Sequence, residues 1–371
     1  MGRHYLDHAS TSPARPAVVD AMLPWLSGGN AADPGRVHTE GRMARAALEA
    51  AREQVAGLLG ARPREVVFTS GATEAANAAV FGATAARPDG AVVCAAVEHS
   101  AVRDASARHR LVPPPVDGVG RIDVDAVFAS LPPGAALVHC QWGNHEVGTL
   151  QPVEEVVAGC RERGVLVHVD AAQAAGHVPV AFDALGADLL SVSAHKLGGP
   201  KGAGALLVRR GLRLPPLIVG GDQERARRAG MENVPAIVGF GTACASLQLD
   251  AEAVAARAHT DRVLALTGRL PDVVAFGDTD RRLPHIACLG VAGVEAEAVL
   301  LALDQVGIAA HSGSACSSEA LEPSPVLEAM GAEAERSLRV SVGWSTTDAD
   351  VDAFVETLPQ VVHRLRALAG A

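Results

Sequence analysis

Two polar residues close apolar strands in this chain, and their types point to one chemistry. Lys196 follows the apolar run Ala187 to Val192 and precedes the turn Gly198-Gly199-Pro200-Lys201-Gly202. An amine at the end of a buried strand loses hydration, which favours its neutral, nucleophilic form and so a Schiff base with an aldehyde cofactor. Asp170 ends the apolar stretch Val165-Leu166-Val167-His168-Val169. A carboxylate placed there is the partner that a pyridinium nitrogen requires. Taken singly, Lys196 reads as a solvated loop lysine; with Asp170 at a neighbouring strand end, the pair reads as a cofactor site.

Further stretches extend that site. Val67-Phe68-Thr69-Ser70-Gly71-Ala72-Thr73-Glu74 reads as strand, tight turn and helix start. Its amides, with the Ser70 or Thr73 hydroxyl, can hold a phosphate at the positive helix end, although Thr73 and Glu74 also read as plain capping. His99, just past the strand Ala91 to Ala95, can stack on a flat cofactor and relay protons, or brace its loop. His195 carries the same ambiguity, with a phosphate or bracing role favoured. Cys316 lies among small polar residues in His311-Ser312-Gly313-Ser314-Ala315-Cys316-Ser317-Ser318-Glu319, where an exposed thiol is disfavoured unless its reactivity is used. Arg339 is a lone cation in the strand pattern Ser337 to Val342. A substrate carboxylate would satisfy both prongs of its guanidinium; the other reading is an internal salt bridge to a carboxylate such as Glu335.

Such residues need a scaffold that ends several strands along one edge. Helix-like stretches span Arg42 to Leu59, Thr73 to Ala86, Val153 to Arg163 and Pro235 to Ala251. They alternate with short apolar strands at Glu65 to Thr69, Ala91 to Ala95, Ala136 to Cys140, Leu166 to Asp170, Leu189 to Ser193 and Gly204 to Arg209. That order predicts an α/β fold with an open, mostly parallel sheet whose ligands gather at the strands' carboxyl ends. Residues 16–250 are expected to form this large cofactor-binding domain. Residues 1–15 and 251–371 are expected to form a smaller α+β domain carrying the Cys316 loop, with a strand at Ile286 to Val291, a helix near Glu295 to Gln305 and a last helix from Asp348.

Composition narrows the rest. The 371 residues carry a net charge of −10 and no dense lysine or arginine run, so no nucleic-acid footprint is expected. No apolar run approaches a membrane span or forms a signal core, so a cytoplasmic address is expected. Six cysteines lack CxxC or other metal spacing, so no metal site is expected, and five of them sit in apolar surroundings. With only 3% aromatic residues, the core must pack small aliphatics closely.

Read in order, YLDHAST, VVFTSGATEAAN, VEHSAV, NHEVGTLQPV, VHVDAAQAAG, SVSAHKLGGPKG, GGDQERARRAG, HSGSACSSEALEPSPVL and SLRVSVG closely resemble the cysteine desulfurases of the class V aminotransferase group. The resemblance runs from Tyr5 to Thr347, and its cysteine loop is similar to that of the first desulfurase subgroup. It implies the type I fold of pyridoxal-phosphate enzymes with a seven-stranded sheet, a homodimer, L-cysteine as substrate and a sulfur-acceptor protein (scaffold or carrier), as in iron–sulfur cluster assembly. Lys196 would bind the pyridoxal 5'-phosphate aldehyde and move the Cα proton; Asp170 would keep the ring nitrogen protonated; Gln173 would meet the phenolic oxygen. His99 would stack on the ring and act in proton transfer, with His145 near it. Thr73, Ser193 and His195 would hold the phosphate with the Gly71 and Ala72 amides. Arg339, with Asn144, would bind the substrate, and Cys316 would take its sulfur, leaving L-alanine and an enzyme persulfide. A class V relative acting on selenocysteine, a cysteine sulfinate or another amino acid is the alternative, and an idle scaffold a more distant one. The chain departs from the family pattern at His145, where asparagine is usual, at Met231, where threonine is usual, and in the longer segment 31–38.

Overall fold

Short valine-, leucine- and alanine-rich runs form one seven-stranded sheet in the computed structural model, which describes residues 2–27, 32–312 and 324–369. Its strands are β1 (Val66–Thr69), β2 (Val92–Val93), β3 (Leu111–Val112), β4 (Leu137–Gln141), β5 (Leu166–Asp170), β6 (Leu189–Ser193) and β7 (Gly204–Val208), in the spatial order β1-β7-β6-β5-β4-β2-β3. All run parallel except β7, which is antiparallel to β1 and β6. Alternate residues serve opposite faces. Val67, Leu137, Leu189, Leu206 and Val208 pack with Ala75, Ala79, Val80 and Ala83 of the helix Ala72–Ala86. Phe68, Val138, Val167, Leu190, Val192 and Leu207 belong to a core shared with the helices Thr39–Leu58, Val153–Arg163 and Val234–Ser246. Small residues let these layers approach. A Cβ at Gly241 would come within 2.6 Å of the Ala51 Cα, so helices Thr39–Leu58 and Val234–Ser246 touch nearly backbone to backbone.

A second sheet of three antiparallel strands, β8 (Val273–Phe276), β9 (Ile286–Val291) and β10 (Ser337–Ser341), has β9 at its centre. Its core takes Val263 from the helix Leu249–Leu264, Leu303 from Ala296–Gln305, and Phe354 and Leu358 from Asp348–Ala369. Burial of each such side chain contributes roughly 1.5–3 kcal/mol. The N-terminal strand His4–Tyr5 pairs in parallel with Ile308–Ala309, and Leu6 enters the same core.

Three boundaries differ from expectation by more than one residue. The helix placed over Pro235 to Ala251 stops at Ser246, and a new one begins at Leu249 after a 79° bend. Leu247 is extended at the corner, with its side chain set against Gly176 and Leu197's neighbourhood. The strand placed over Ala91 to Ala95 shrinks to Val92–Val93 because the chain turns at Ala95. The helix placed from Arg42 starts earlier, at Thr39, where the His38 side chain accepts from the Gly41 amide. Among the described residues no single helix is long and apolar enough to cross a membrane.

One buried ion pair fastens the far edge of the large sheet. Arg52, 1% exposed, meets both oxygens of Glu224 at 2.7 Å and donates to the Val66 carbonyl at 3.0 Å. Glu224 also accepts the Phe68 amide at 2.9 Å. Glu224, Arg225 and Ala226 all have left-handed backbones, with φ of 48°, 61° and 59°, a conformation that costs of order 1–3 kcal/mol per residue.

Candidate active site

The carboxyl ends of β5 and β6 open into a cavity of about 510 Å³ that takes in Asp170, Ser193, His195 and Lys196. The same cavity is lined by Gly71, Ala72, Thr73, His99, His145, Gln173 and Arg339. Residues spread over most of the sequence therefore converge at one strand edge, where open α/β sheets bind ligands.

One end is built to hold an anion. β1 ends at Thr69, Gly71 is extended, and the helix Ala72–Ala86 starts with amides that have no acceptor within the helix. The Ser70 amide is occupied by the Glu74 carboxylate at 2.8 Å, and Glu74 is in turn held by Arg228 at 2.9 Å. Glu74 thus caps Ser70, while Gly71, Ala72 and Thr73 line the cavity. Across from them stand Ser193 and the short turn Ala194–Leu197. β7 passes so close that a Cβ on Gly204 would lie 2.6 Å from the Gly71 Cα. This cradle of backbone, hydroxyls and His195 fits a phosphate.

The other end suits a flat ring with a basic nitrogen. Asp170 Oδ1 accepts from the Ala172 amide and the Ser191 hydroxyl, both at 3.0 Å, which fixes the carboxylate plane. His99 caps the helix Ser100–Ser106, its Nδ1 accepting from the Ala101 amide at 3.1 Å. That bond puts the single proton of the neutral ring on Nε2. Burial first, and then His145 and Lys196, push the His99 pKa down to about 3, so the neutral form is the working one. His145 lies edge-on to it, ring centroids 5.1 Å apart, and burial together with Lys196 and Arg339 pushes it to about 3 as well.

Arg339 sits in β10 at 2% exposure and reaches the cavity. Its Nη1 donates to the His145 carbonyl at 2.8 Å; Nη2 donates to Asp7 Oδ1 at 2.9 Å and Ser10 Oγ at 2.8 Å. The internal ion pair is therefore with Asp7 and not with Glu335, because β10 pairs with the N-terminal segment through the Asp7 bridge to Ser341.

Asn144 does not fit the substrate role given to it. It is fully buried, is absent from the cavity wall, and is spent on the backbone: Nδ2 donates to the Val97 carbonyl at 3.1 Å, and Oδ1 accepts the Glu146 and Val147 amides at 2.8 and 2.9 Å. It shapes the turn that presents His145. Cys316 lies outside the described residues. The other five cysteines are buried, and burial raises the thiol pKa of each, to about 12 for Cys160 and Cys288, so none is a ready nucleophile.

Several participants were not singled out from sequence. Asp7 and Ser10 hold Arg339; both lie in the YLDHAST stretch, which carried the resemblance but gave neither a role. Glu98, 1% exposed, accepts the Gln141 amide at 2.6 Å; burial and the Asp170 charge push its carboxyl up to about 8. Glu146 stands 3.5 Å from His145 Nε2 and accepts from Ser324. Burial pushes its carboxyl up to about 7.

Comparison with known proteins agrees with this geometry. Residues 4–354 match the family described as aminotransferase class-V. A cysteine desulfurase of Trichormus azollae is 44% identical, covering 98% of this chain and 94% of its own. A solved NifS-like protein superposes with a TM-score of 0.89 at 29% identity, covering 98% of this chain and 100% of its own. The structure of SspA in complex with cysteine gives a TM-score of 0.83 at 30% identity, over 92% of this chain and 99% of its own. A family match over residues 4–354, with a relative 44% identical across 98% of the chain, makes the chain a member of the class V aminotransferase family.

Proposed function

We propose that this protein is a pyridoxal-phosphate-dependent cysteine desulfurase that converts L-cysteine to L-alanine and passes the sulfur to an acceptor protein. The observation that carries the reading is the convergence of Lys196, Asp170 and Arg339 on one cavity. The phosphate cradle fits the cofactor's anion, Asp170 its ring nitrogen, Gln173 its ring oxygen and Lys196 its aldehyde. When bound, the cofactor supplies an electron sink for negative charge developing at the amino acid's Cα.

The chain's own residues do the rest. Arg339 orients the amino acid by its carboxylate, with its guanidinium plane set by Asp7, Ser10 and the His145 carbonyl. Lys196 takes the Cα proton. His99, neutral with its proton on Nε2, lines the cavity as an N–H hydrogen-bond donor beside the reacting groups. Cys316, as thiolate, attacks the substrate sulfur; an S–S bond forms, the C–S bond breaks, and the departing electron pair stays on the carbon that is then protonated. The product side is L-alanine and a Cys316 persulfide.

We further infer a homodimer. Val37, Met43 and Met231 are 87%, 48% and 67% exposed, and Arg45 reaches Glu232 at 3.4 Å, which brings their segments together. Apolar exposure of this kind suits a second copy. The free cysteines suit a reducing cytoplasm. The test is alanine and sulfide formation from L-cysteine with a reductant, in wild type and Cys316→Ala. Equal yields in the wild type, both lost in the variant, support the reading. Undiminished sulfide from the variant rules out attack by Cys316, and alanine from selenocysteine or cysteine sulfinate alone reassigns the substrate.

A further inference from the structure

Gln173 is gripped from two sides at the cavity wall. Its Nε2 donates to the Ala9 carbonyl at 2.9 Å, and its Oε1 lies 3.2 Å from His285 Nε2. His285 is fully buried, one residue before β9. Its ring stacks on His177, with centroids 3.5 Å apart and planes 17° apart. Its other nitrogen, Nδ1, has no hydrogen-bond partner.

Those contacts leave one consistent proton arrangement. An amide oxygen only accepts, so Nε2 of His285 must carry a hydrogen. Burial, with His177 and Lys196 nearby, holds the ring well below its ordinary pKa, so it is neutral and that hydrogen is its only one. Turning the Gln173 amide over would set its oxygen against the Ala9 carbonyl and its NH2 against an N–H. Both contacts would be repulsive in a place closed to water. Gln173 is therefore fixed with its oxygen toward His285 and its nitrogen toward Ala9. One of the two amide hydrogens goes to Ala9, and the second remains for a ligand.

We propose that His285 is a positioning residue, braced by His177, that locks Gln173 as an N–H donor to the anionic ring oxygen of the cofactor. This rests on the pyridoxal-phosphate reading above. Donation to that oxygen lowers its basicity and so lowers the pH at which the bound yellow chromophore gives up its shared proton. Without His285 the amide oxygen loses its donor and the amide its fixed plane, which weakens that donation and raises that pH.

Two measurements test it. Long-range proton–nitrogen NMR on the cofactor-free protein with labelled histidines should show His285 as the Nε2–H tautomer, its signal identified by its loss in His285→Gln. Spectroscopic titration of the loaded protein should then place the His285→Leu midpoint about one pH unit above wild type, a tenfold change in proton affinity. His285→Gln, whose amide nitrogen can donate from the same place, should return to the wild-type value. An Nδ1–H tautomer, or a His285→Leu midpoint equal to wild type, overturns the proposal. If His285→Leu does not fold, the wild-type tautomer still decides. A wild-type protein that forms no chromophore sinks the cofactor reading instead.

Discussion

Asp7 and Arg339 are 332 residues apart in the chain and 2.9 Å apart in the fold. The contact ties the first strand's exit to β10 and sets the guanidinium that faces the cavity. Replacing Arg339 by lysine removes the planar fork, and the KM for the amino acid should rise about 100-fold, with a smaller change in kcat. Asp7→Asn keeps the shape and loses the charge, and should raise KM several-fold because the guanidinium plane is freed. Steady-state kinetics decide the sign. A lower KM in Asp7→Asn means that Asp7 competes for the guanidinium rather than aiming it.

Lys196, in the turn that follows β6, and Lys201 further on both line the cavity. Lys196→Ala should reduce kcat by at least about 1,000-fold. Borohydride treatment followed by mass spectrometry should leave the cofactor mass on the wild type and not on the variant.

Glu98 links the site to stability. Its carboxyl, ordinarily near 4.5, is pushed to about 8 by burial and by Asp170. The folded state therefore holds that proton more tightly than the unfolded chain does. Its stabilising effect is complete below about pH 4.5 and is lost as pH rises toward 8. In cofactor-free Glu98→Gln that slope should disappear, leaving the protein more stable than wild type at pH 8 by an amount on the order of a few kcal/mol. Denaturant unfolding at pH 5 and pH 8 measures it.

Gly204 guards the phosphate cradle. A methyl at 2.6 Å from the Gly71 Cα forces one of the two backbones to move. Gly204→Ala should weaken cofactor retention at least tenfold, read as loss of chromophore on dialysis, with far-ultraviolet dichroism unchanged.

Much of this site is legible in local sequence because strands on the large sheet are short and self-announcing. β5, β6 and the helix Val153–Arg163 fall where the apolar runs end, the last stopped by Gly164 at φ 64°. Lys196, Asp170 and the Gly71 turn carry their chemistry in their immediate neighbours. Asp7 lies in the YLDHAST stretch, yet its role stays hidden there because its partner comes from the other end of the chain. Asn144 took its substrate role from the resemblance alone, and only the fold shows its three hydrogen bonds going to main chain. The break at Leu247 needs Gly176 to be in place before it makes sense.

The clasp of Arg52 on Glu224 also has a kinetic meaning. Three left-handed residues in a row cannot be a folding nucleus, because their conformation is disfavoured until the guanidinium, the Phe68 amide and the helix Thr39–Leu58 are assembled. Residues 222–228 are therefore expected to join late in folding. Weakening the clasp, as in Arg52→Met, should accelerate unfolding while leaving the refolding rate nearly unchanged. In that outcome the ion pair sets the lifetime of the native protein more than its speed of formation.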